Sequence, residues 1–282
     1  MTSTHSIHPG ADLQAVRLAP FSEAHLPSAL RLSQEVSWPH RRADWALTLS
    51  ASKGVVALAG EEIVGTALCT DFGPVSCLNM IIVDERMRGR GLGRRLMEAV
   101  MALAGDREMR LVATEEGLPL YEKLGFRTTG RIAQHQGIVQ SGAAPGDTVR
   151  TGGAPDVARL AEMDRAASGQ ERARLLEQIA AESDVLLADN GFAMLRAFGR
   201  GQVLGPVVAG DEATAKALIA EGARRCEGSF LRIDLTGSEG LGAFAAALGL
   251  ASAGGGTAMT HTPRAQASSD LKTFALVSQA LG

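Results

Sequence analysis

Apolar and polar positions along the first 140 residues fall into alternating strand and helix rhythms. "LQAVRLAP", from Leu13 to Pro20, reads as a strand. "SEAHLPSALRLSQEV" then sets Leu26, Leu30 and Leu32 at helical spacing, with Ser22 as the expected cap. "RRADWALTLS" predicts a second short helix. The apolar runs "GVVALAG" and "IVGTALCT", parted by Glu61 and Glu62, predict a hairpin, and "VSCLNMIIV" a third β-rich run. "GRRLMEAVMALAG" places Leu96, Val100 and Leu103 on one helix face and ends at Gly105. A strand "MRLVAT", a helix "LPLYEKLG" closed by Gly125 and a strand "FRTTGRIAQ" complete an antiparallel-rich α+β unit of one domain's size.

Residues 137–153 are rich in Gly, Ala and Pro and mark a boundary. Beyond it the order of elements repeats. "DTVRTGGAPDVARLAEMDRAA" runs from strand to helix, and "DVLLADNGFAMLRAFGRGQVLGPVVAG" gives three strand-like runs. A helix "EATAKALIAEG", a strand "SFLRIDLT" and a helix ending in "LGL" follow. Val208 precedes Gly249 by nearly the interval that separates Val83 from Gly125. The expected organisation is a disordered tail over 1–12, one domain over 13–140 and a related one over 141–282. The expected fold class is α+β, an α/β three-layer arrangement in which each domain is a mixed, mostly antiparallel sheet flanked by helices.

Composition narrows the chemistry. Hydrophobic residues make up 45% of the 282 and charged residues 21%, enough for packed cores and not the profile of a disordered chain. A net charge of −3 argues against nucleic acid or an anionic membrane as the main partner. Three scattered cysteines suggest neither a disulfide framework nor a metal site. No window has the length of a membrane span or a signal peptide, so a cytoplasmic setting is expected.

Against that background "VDERMRGRGLGRRLMEAV" packs five arginines and three alternating glycines ahead of a helix, and asks for a local anion. A P-loop needs Gly-Lys-Ser/Thr, whereas Gly93 is followed by Arg94 and Arg95. A dinucleotide fingerprint needs G-x-G-x-x-G, whereas the glycines fall at 89, 91 and 93. An arginine–glycine RNA segment belongs in a tail, not between a strand and a helix. What is left is a strand–loop–helix whose backbone N–H groups and helix dipole face one anion, with Arg88, Arg90, Arg94 and Arg95 adding charge.

These residues resemble a family. "IIVDERMRGRGLGRRLM" is similar to motif A of the GNAT superfamily of N-acetyltransferases, with Arg88, Gly91 and Gly93 at its fixed positions. "ATEEGLPLYEKLGF" is similar to motif B, ending on Tyr121, Gly125 and Phe126. "WPHRRADW", the Gly-Leu-Pro-Leu-Tyr form of motif B and "LGPVVA" in the second half resemble a bacterial tandem-GNAT subgroup with a degenerate second GNAT-like domain.

The resemblance implies acetyl-CoA as acyl donor and no metal. Its pyrophosphate is expected on Arg88, Gly89, Arg90, Gly91, Leu92, Gly93 and Arg94, and its pantetheine arm along Ile81, Ile82 and Val83. A backbone N–H near Ile81 is expected to stabilise the developing oxyanion. Tyr121, the chain's one tyrosine, takes the family's place for the acid that protonates the departing thiolate. The base stays open: the strand before the loop has no carboxylate, which leaves His40, Asp44 or water. Trp38, His40 and Trp45 are expected to line an acceptor pocket. Thr114 and Gly117 depart from the common motif. In the second half "VVAGDEATAKAL" stands where the loop belongs, with Asp211 and Glu212 and no arginine, and Ala245 falls opposite Tyr121. The expected reaction is acetyl transfer to the primary amine of a small-molecule or amino-acid-like acceptor. A protein lysine or N-terminus as acceptor, and a non-catalytic acyl-CoA sensor, are the alternatives. Monomer and homodimer are both compatible with the sequence.

Overall fold

The computed structural model describes residues 16–140, 148–237 and 239–282. The tail expected over 1–12 and the middle of the Gly/Ala/Pro-rich segment lie outside them. The first half runs β1 (Val16–Pro20), α1 (Leu26–Glu35), α2 (Arg42–Ser50), β2 (Ser52–Ala59), β3 (Glu62–Phe72), β4 (Val75–Val83), α3 (Leu92–Ala104), β5 (Glu108–Ala113), α4 (Leu118–Lys123) and β6 (Arg127–Ile138). The second runs β7 (Arg150–Gly152), α5 (Val157–Ser168), α6 (Ala173–Ala180), β8 (Asp184–Ala188), β9 (Gly191–Phe198), β10 (Gly201–Ala209), α7 (Glu212–Arg225), β11 (Phe230–Thr236), α8 (Glu239–Ala247), β12 (Ala251–His261) and β13 (Lys272–Ala275). The α+β class, with a mixed and mostly antiparallel sheet, is as the sequence pattern predicts.

The first half is layered by the period of its strands. On β2 and β3, Ala57, Ala67 and Cys69 face one way and meet Leu92, Leu96, Met97 and Val100 of α3. Val56, Leu58 and Leu68 face the other way and meet Leu26 and Leu32 of α1 and Trp45 of α2. Each fully buried Leu, Val or Met side chain in these layers contributes about 1.5–3 kcal/mol. Leu103 corrects one expectation: it is 41% exposed, off the face that buries Leu96 and Val100. Ser22 is also not the cap of α1, which is preceded by a 3₁₀ turn over Glu23–His25. No helix among the described residues is long and apolar enough to cross a membrane.

The halves do not make two separate sheets. All thirteen strands form one, in the order β1-β2-β3-β4-β5-β12-β6-β11-β13-β10-β9-β8-β7. β12, from the second half, lies between β5 and β6 of the first, while β6 lies between β12 and β11. The pairing is reciprocal: Arg127 opposes Thr260 and Gln136 opposes Ala251, so the two strands run past each other about a pseudo-twofold axis. The change of segment near residue 140 divides the chain but not its hydrogen-bond ladder.

Helix endings confirm which residues correspond. Gly125 (φ 90°) and Gly249 (φ 93°) hold the same left-handed turn. The Tyr121 carbonyl accepts from the N–H of Leu124 and Phe126, and the Ala245 carbonyl from that of Leu248 and Leu250.

The sequence pattern predicts neither β12 nor β13. "ASAGGGTAMTH" has no apolar alternation, and Gly255 and Gly256 serve close approach: a Cβ on Gly255 (φ 145°) would collide with the Ile132 carbonyl oxygen. Because β12 completes the first half's sheet, a chain ending at residue 140 exposes unpaired edges on β5 and β6. We expect that truncation to lose cooperative thermal unfolding while the full chain melts in one transition, as read by circular dichroism. A two-state melt of the truncated chain contradicts the exchange.

Candidate active site

β4 delivers the chain to the glycine loop. After Val83, Asp84 accepts from the N–H of Arg86 at 3.0 Å and turns the backbone into a 3₁₀ segment over Glu85–Met87. Gly89 (φ 73°) and Gly91 (φ 80°) then adopt left-handed backbone, and Gly91 is the residue on which α3 starts. A Cβ at either meets no atom within 4 Å, so open space, not protein, lies against both. No side chain caps α3. Its first N–H groups and its dipole are thus left to the cleft beside them.

That cleft, of about 930 Å³, is walled on one side by Ile81, Ile82, Val83, Arg88, Gly89, Gly91, Leu92, Gly93 and Arg94. Thr114 to Gly117, Leu120 and Tyr121 form the other side. Ile82 and Leu92 send their side chains into the core and offer only backbone. Arg88 and Arg94 pair loosely with Glu116 (3.4 Å) and Glu98 (3.6 Å) in solvent. Arg90 is exposed and does not line the cleft.

Two features of β4 open its backbone along the cleft. Its parallel ladder with β5 covers only Val75 to Cys77, beyond which the strands diverge. On the β3 side, Thr66 opposes Ile82 and Leu68 opposes Asn79, so Met80 and Ile81 together face Ala67 in a β-bulge. Met80 has φ 49°, a conformation that a side chain normally avoids.

Tyr121 lies on α4 where the cleft meets a smaller cavity of about 250 Å³, and lines both. It is 7% exposed, its ring meets Phe126 edge-on at 6.2 Å, and burial pushes its pKa up to about 12. Gly117 is accounted for by this ring: a Cβ there would sit 2.8 Å from it and 3.2 Å from the hydroxyl.

The smaller cavity takes walls from both halves. Trp38, His40, Asn79 and Ile81 come from the first, Phe198, Arg232, Gly255 and Ser278 from the second. Trp38 and His40 thus line one cavity together. Trp45 corrects its expectation: it is fully buried in the core, its indole N–H on Ser33 Oγ at 3.1 Å, and it lines neither cavity. Asp44 is corrected too. It takes two bonds from the Arg41 side chain (2.8 and 3.1 Å), the Arg41 N–H (2.8 Å) and the Gly199 N–H (3.1 Å). Burial pushes its pKa up, but these bonds prevail and hold it below the usual carboxylate range. It clamps α2 to the β9–β10 turn and has no capacity left as a base.

His40 packs edge-on against Phe198 at 5.5 Å with its Nδ1 buried and unpartnered. Burial lowers its pKa to about 4, Asp44 opposing the shift and Arg232 and Arg196 reinforcing it, so the imidazole is neutral at pH 7.

Asn79 is a site residue that the sequence reading missed. Its Nδ2 donates to Thr70 Oγ1 at 2.8 Å and to the Cys77 carbonyl at 3.2 Å. Since a carbonyl only accepts, the amide is fixed with Oδ1 outward, and Oδ1 is a buried acceptor without a partner. The available signal was one amide inside the apolar run "VSCLNMIIV". A separate, mostly apolar cavity of about 460 Å³ shares Leu78, Val112, Gln279 and Ala280 with this one but no residue with the cleft at the glycine loop.

The corresponding place in the second half is built alike and filled differently. β10 also bulges, with Gly205 and Pro206 facing Met194, and Pro206 carries no N–H where Ile81 does. β10 and β11 also diverge, but β13 runs in the gap and pairs with both. The start of α7 is capped by its own residue: Asp211 accepts from the Thr214 N–H at 2.7 Å.

Comparison with known proteins agrees with this duplication. Two models described as "Acetyltransferase (GNAT) domain" match the chain, one over residues 50–128 and one over 160–274. An uncharacterized N-acetyltransferase of Bacillus subtilis (strain 168), YitH, is 30% identical over 229 residues, spanning 76% of this chain and 79% of its own. A solved structure from Pyrococcus horikoshii, described provisionally as an acetyltransferase, superposes with a TM-score of 0.83 at 16% identity, covering 99% of this chain and 100% of that one. A GCN5-related N-acetyltransferase from Sphaerobacter thermophilus gives 0.59 at 17% identity, over 91% and 98%. At such identities the structural likeness shows the fold.

Because Tyr121 is the chain's one tyrosine, its phenol can be titrated alone by ultraviolet difference spectroscopy. We expect ionisation near 12 in place of the usual value of about 10. Between those values the folded chain binds one more proton than the unfolded, so stability falls as pH rises through the window. A midpoint near 10 in the folded protein places the phenol in solvent and removes it from the site.

Proposed function

The chain belongs to the GNAT family of N-acetyltransferases, and from that premise we propose that it carries acetyl from acetyl-CoA to the primary amine of a small molecule, at one site in its first half. The observation that carries this reading is the meeting at Tyr121 of an anion-ready cleft and a small cavity walled by both halves. The uncapped start of α3 and the open backbone at Gly89 and Gly91 fit the diphosphate of CoA. The stretch of β4 from Met80 to Val83, which has no ladder on its β5 side, fits an extended, amide-bearing pantetheine arm. The bound thioester supplies an activated acetyl group; the chain positions it and manages charge and protons.

At the reacting end, the backbone of the Met80–Ile81 bulge, where two residues face Ala67 alone, is the place for an N–H that stabilises a carbonyl oxygen as it gains charge. Tyr121 stays protonated far above neutral pH and donates to the sulfur as the thiolate leaves. Asn79 Oδ1, orphaned and rigidly held, accepts an N–H of the incoming amine. His40, neutral but with a pKa of about 4, holds a proton poorly; it orients the amine, and the proton departs to water. A cavity of about 250 Å³, closed by the second half, suits a small amine better than a peptide segment.

The second half is read as degenerate. Its helix start already holds a carboxylate, its gap holds β13, its bulge presents Pro206, and Ala245 replaces the phenol. It has become wall and scaffold.

Release of free thiol from acetyl-CoA over a panel of small amines tests the reaction, and tight CoA binding with no turnover on any amine sinks it in favour of a sensor. We expect Tyr121→Phe to slow turnover by about 10²–10⁴-fold with CoA affinity preserved. Gly91→Glu, which puts a carboxylate and a strained backbone at the start of α3, is expected to abolish CoA binding in calorimetry.

A further inference from the structure

The wall that the second half gives to the small cavity carries an unbalanced buried charge. Arg232 lines the cavity and is 7% exposed. Its Nε and Nη2 take both oxygens of Asp234 at 2.9 to 3.2 Å, while its Nη1 makes no hydrogen bond among the described residues. Asp234 is saturated further by Gln279 Nε2 at 3.0 Å. Behind Arg232, the Phe198 ring has the Arg232 guanidinium at 5.3 Å and the Arg196 guanidinium at 5.1 Å.

Arg196 has no carboxylate of its own. The nearest, Asp44 Oδ1 at 3.9 Å, already accepts from Arg41 at 2.8 Å. Arg196 reaches only the carbonyls of Val277 (3.3 Å) and Ala197 (3.5 Å), and its Nε is buried without a partner. Burial drags its pKa down to about 10, as befits a buried cation poorly compensated. Two buried guanidiniums, of Arg196 and Arg232, thus share two carboxylates, of Asp44 and Asp234, with the 39% exposed Arg41, which holds Asp44 at the shorter distance. A buried charge without a counter-ion is costly unless something supplies one.

We infer that the acceptor brings the missing counter-ion: it is an amine that also bears a carboxylate, which Arg232 Nη1 receives while its amine faces Asn79 and Tyr121. This rests on the proposed acetyl transfer for the identity of the site, but the charge argument stands on the second half's own residues. A surplus of one positive charge matches a monoanion, and a carboxylate offers the planar acceptor geometry that a guanidinium recognises. The phenol and the guanidinium sit on walls from opposite halves, so an amino-acid-like molecule spans them. The duplicated half, having lost its own cleft, then reads the acceptor for the other.

Calorimetric binding to the CoA-saturated full chain separates this inference from the proposed reaction. The probes are matched pairs: glycine, alanine, leucine and glutamate, each as the free α-carboxylate and as its carboxamide. We expect the carboxylates to bind at least 10-fold more tightly than their amides. Arg232→Gln combined with Asp234→Asn removes the pair without stranding a buried charge, and Arg196→Gln removes the surplus without touching the cavity. Both are expected to erase most of the preference while CoA affinity is retained. Carboxylates that bind with this preference yet are never acetylated support the anion site and defeat the transfer reading. Carboxamides that bind as well as carboxylates, binding by neither set, or turnover confined to the amides overturns the inference.

Discussion

The antiparallel pairing of β6 with β12 is the constraint on which the rest depends. Each half hands its last long strand to the other, so the sheet that holds the glycine loop is completed by residues more than a hundred positions away in the chain. β12 pairs with β5 along the edge opposite β4. β5 is thereby held on its far edge along Met109–Ala113 while its ladder with β4 ends at Cys77. The same strand brings Ala253 and Gly255 to the floor of the small cavity, and Gly255 fits there only because it has no side chain.

Duplication makes the physics of the glycine loop unusually readable, because the chain contains its own control. A helix start leaves unpaired N–H groups that demand negative partners. In α7 the demand is met within the chain by Asp211, and in α3 no side chain meets it. A diverging pair of strands likewise leaves a slot of unpaired backbone, and β13 fills that of β10 and β11. The same local geometry, present twice, is thus closed once by the polypeptide and once left open.

What could be read from the sequence follows from what is local. The alternation of strand and helix periods, the glycine loop and the stop signals at Gly105, Gly125 and Gly249 are fixed by neighbours in the chain, and each lies where the pattern puts it. The exchange of β6 and β12 leaves no such trace, since "ASAGGGTAMTH" owes its strand to Ile132 and its neighbours, not to its own pattern. The same limit separates Trp38 from Trp45: they lie seven positions apart, yet one lines the cavity and the other fills the core, as decided by α1 packing against α2. Asn79 is the one amide in an apolar run, which sequence can flag. Arg232 shows nothing, because what makes it notable is Phe198, Arg196 and a cavity wall assembled from both halves.

The clamp at Asp44 explains how such a wall can be positioned at all. Its carboxylate joins Arg41 of the segment leading into α2 to the N–H of Gly199, and Arg41 in turn donates to the Ala197 carbonyl at 2.7 Å. Gly199 (φ 53°) lies so near the Pro39 carbonyl that a Cβ there would approach it to 3.1 Å. The loop carrying Trp38 and His40 is thereby seated on the turn next to Phe198 and Arg196. Removing the Asp44 carboxylate takes the acceptor from the Gly199 N–H and from Arg41, whose side chain is itself 39% exposed. Here the loss also frees the loop that closes the cavity. The burial that makes Asp44 useless as a base is what makes it effective as a joint, and it draws Arg196 close without neutralising it. The two halves are fastened by the same cluster of charges that leaves one positive charge unspent beside the site.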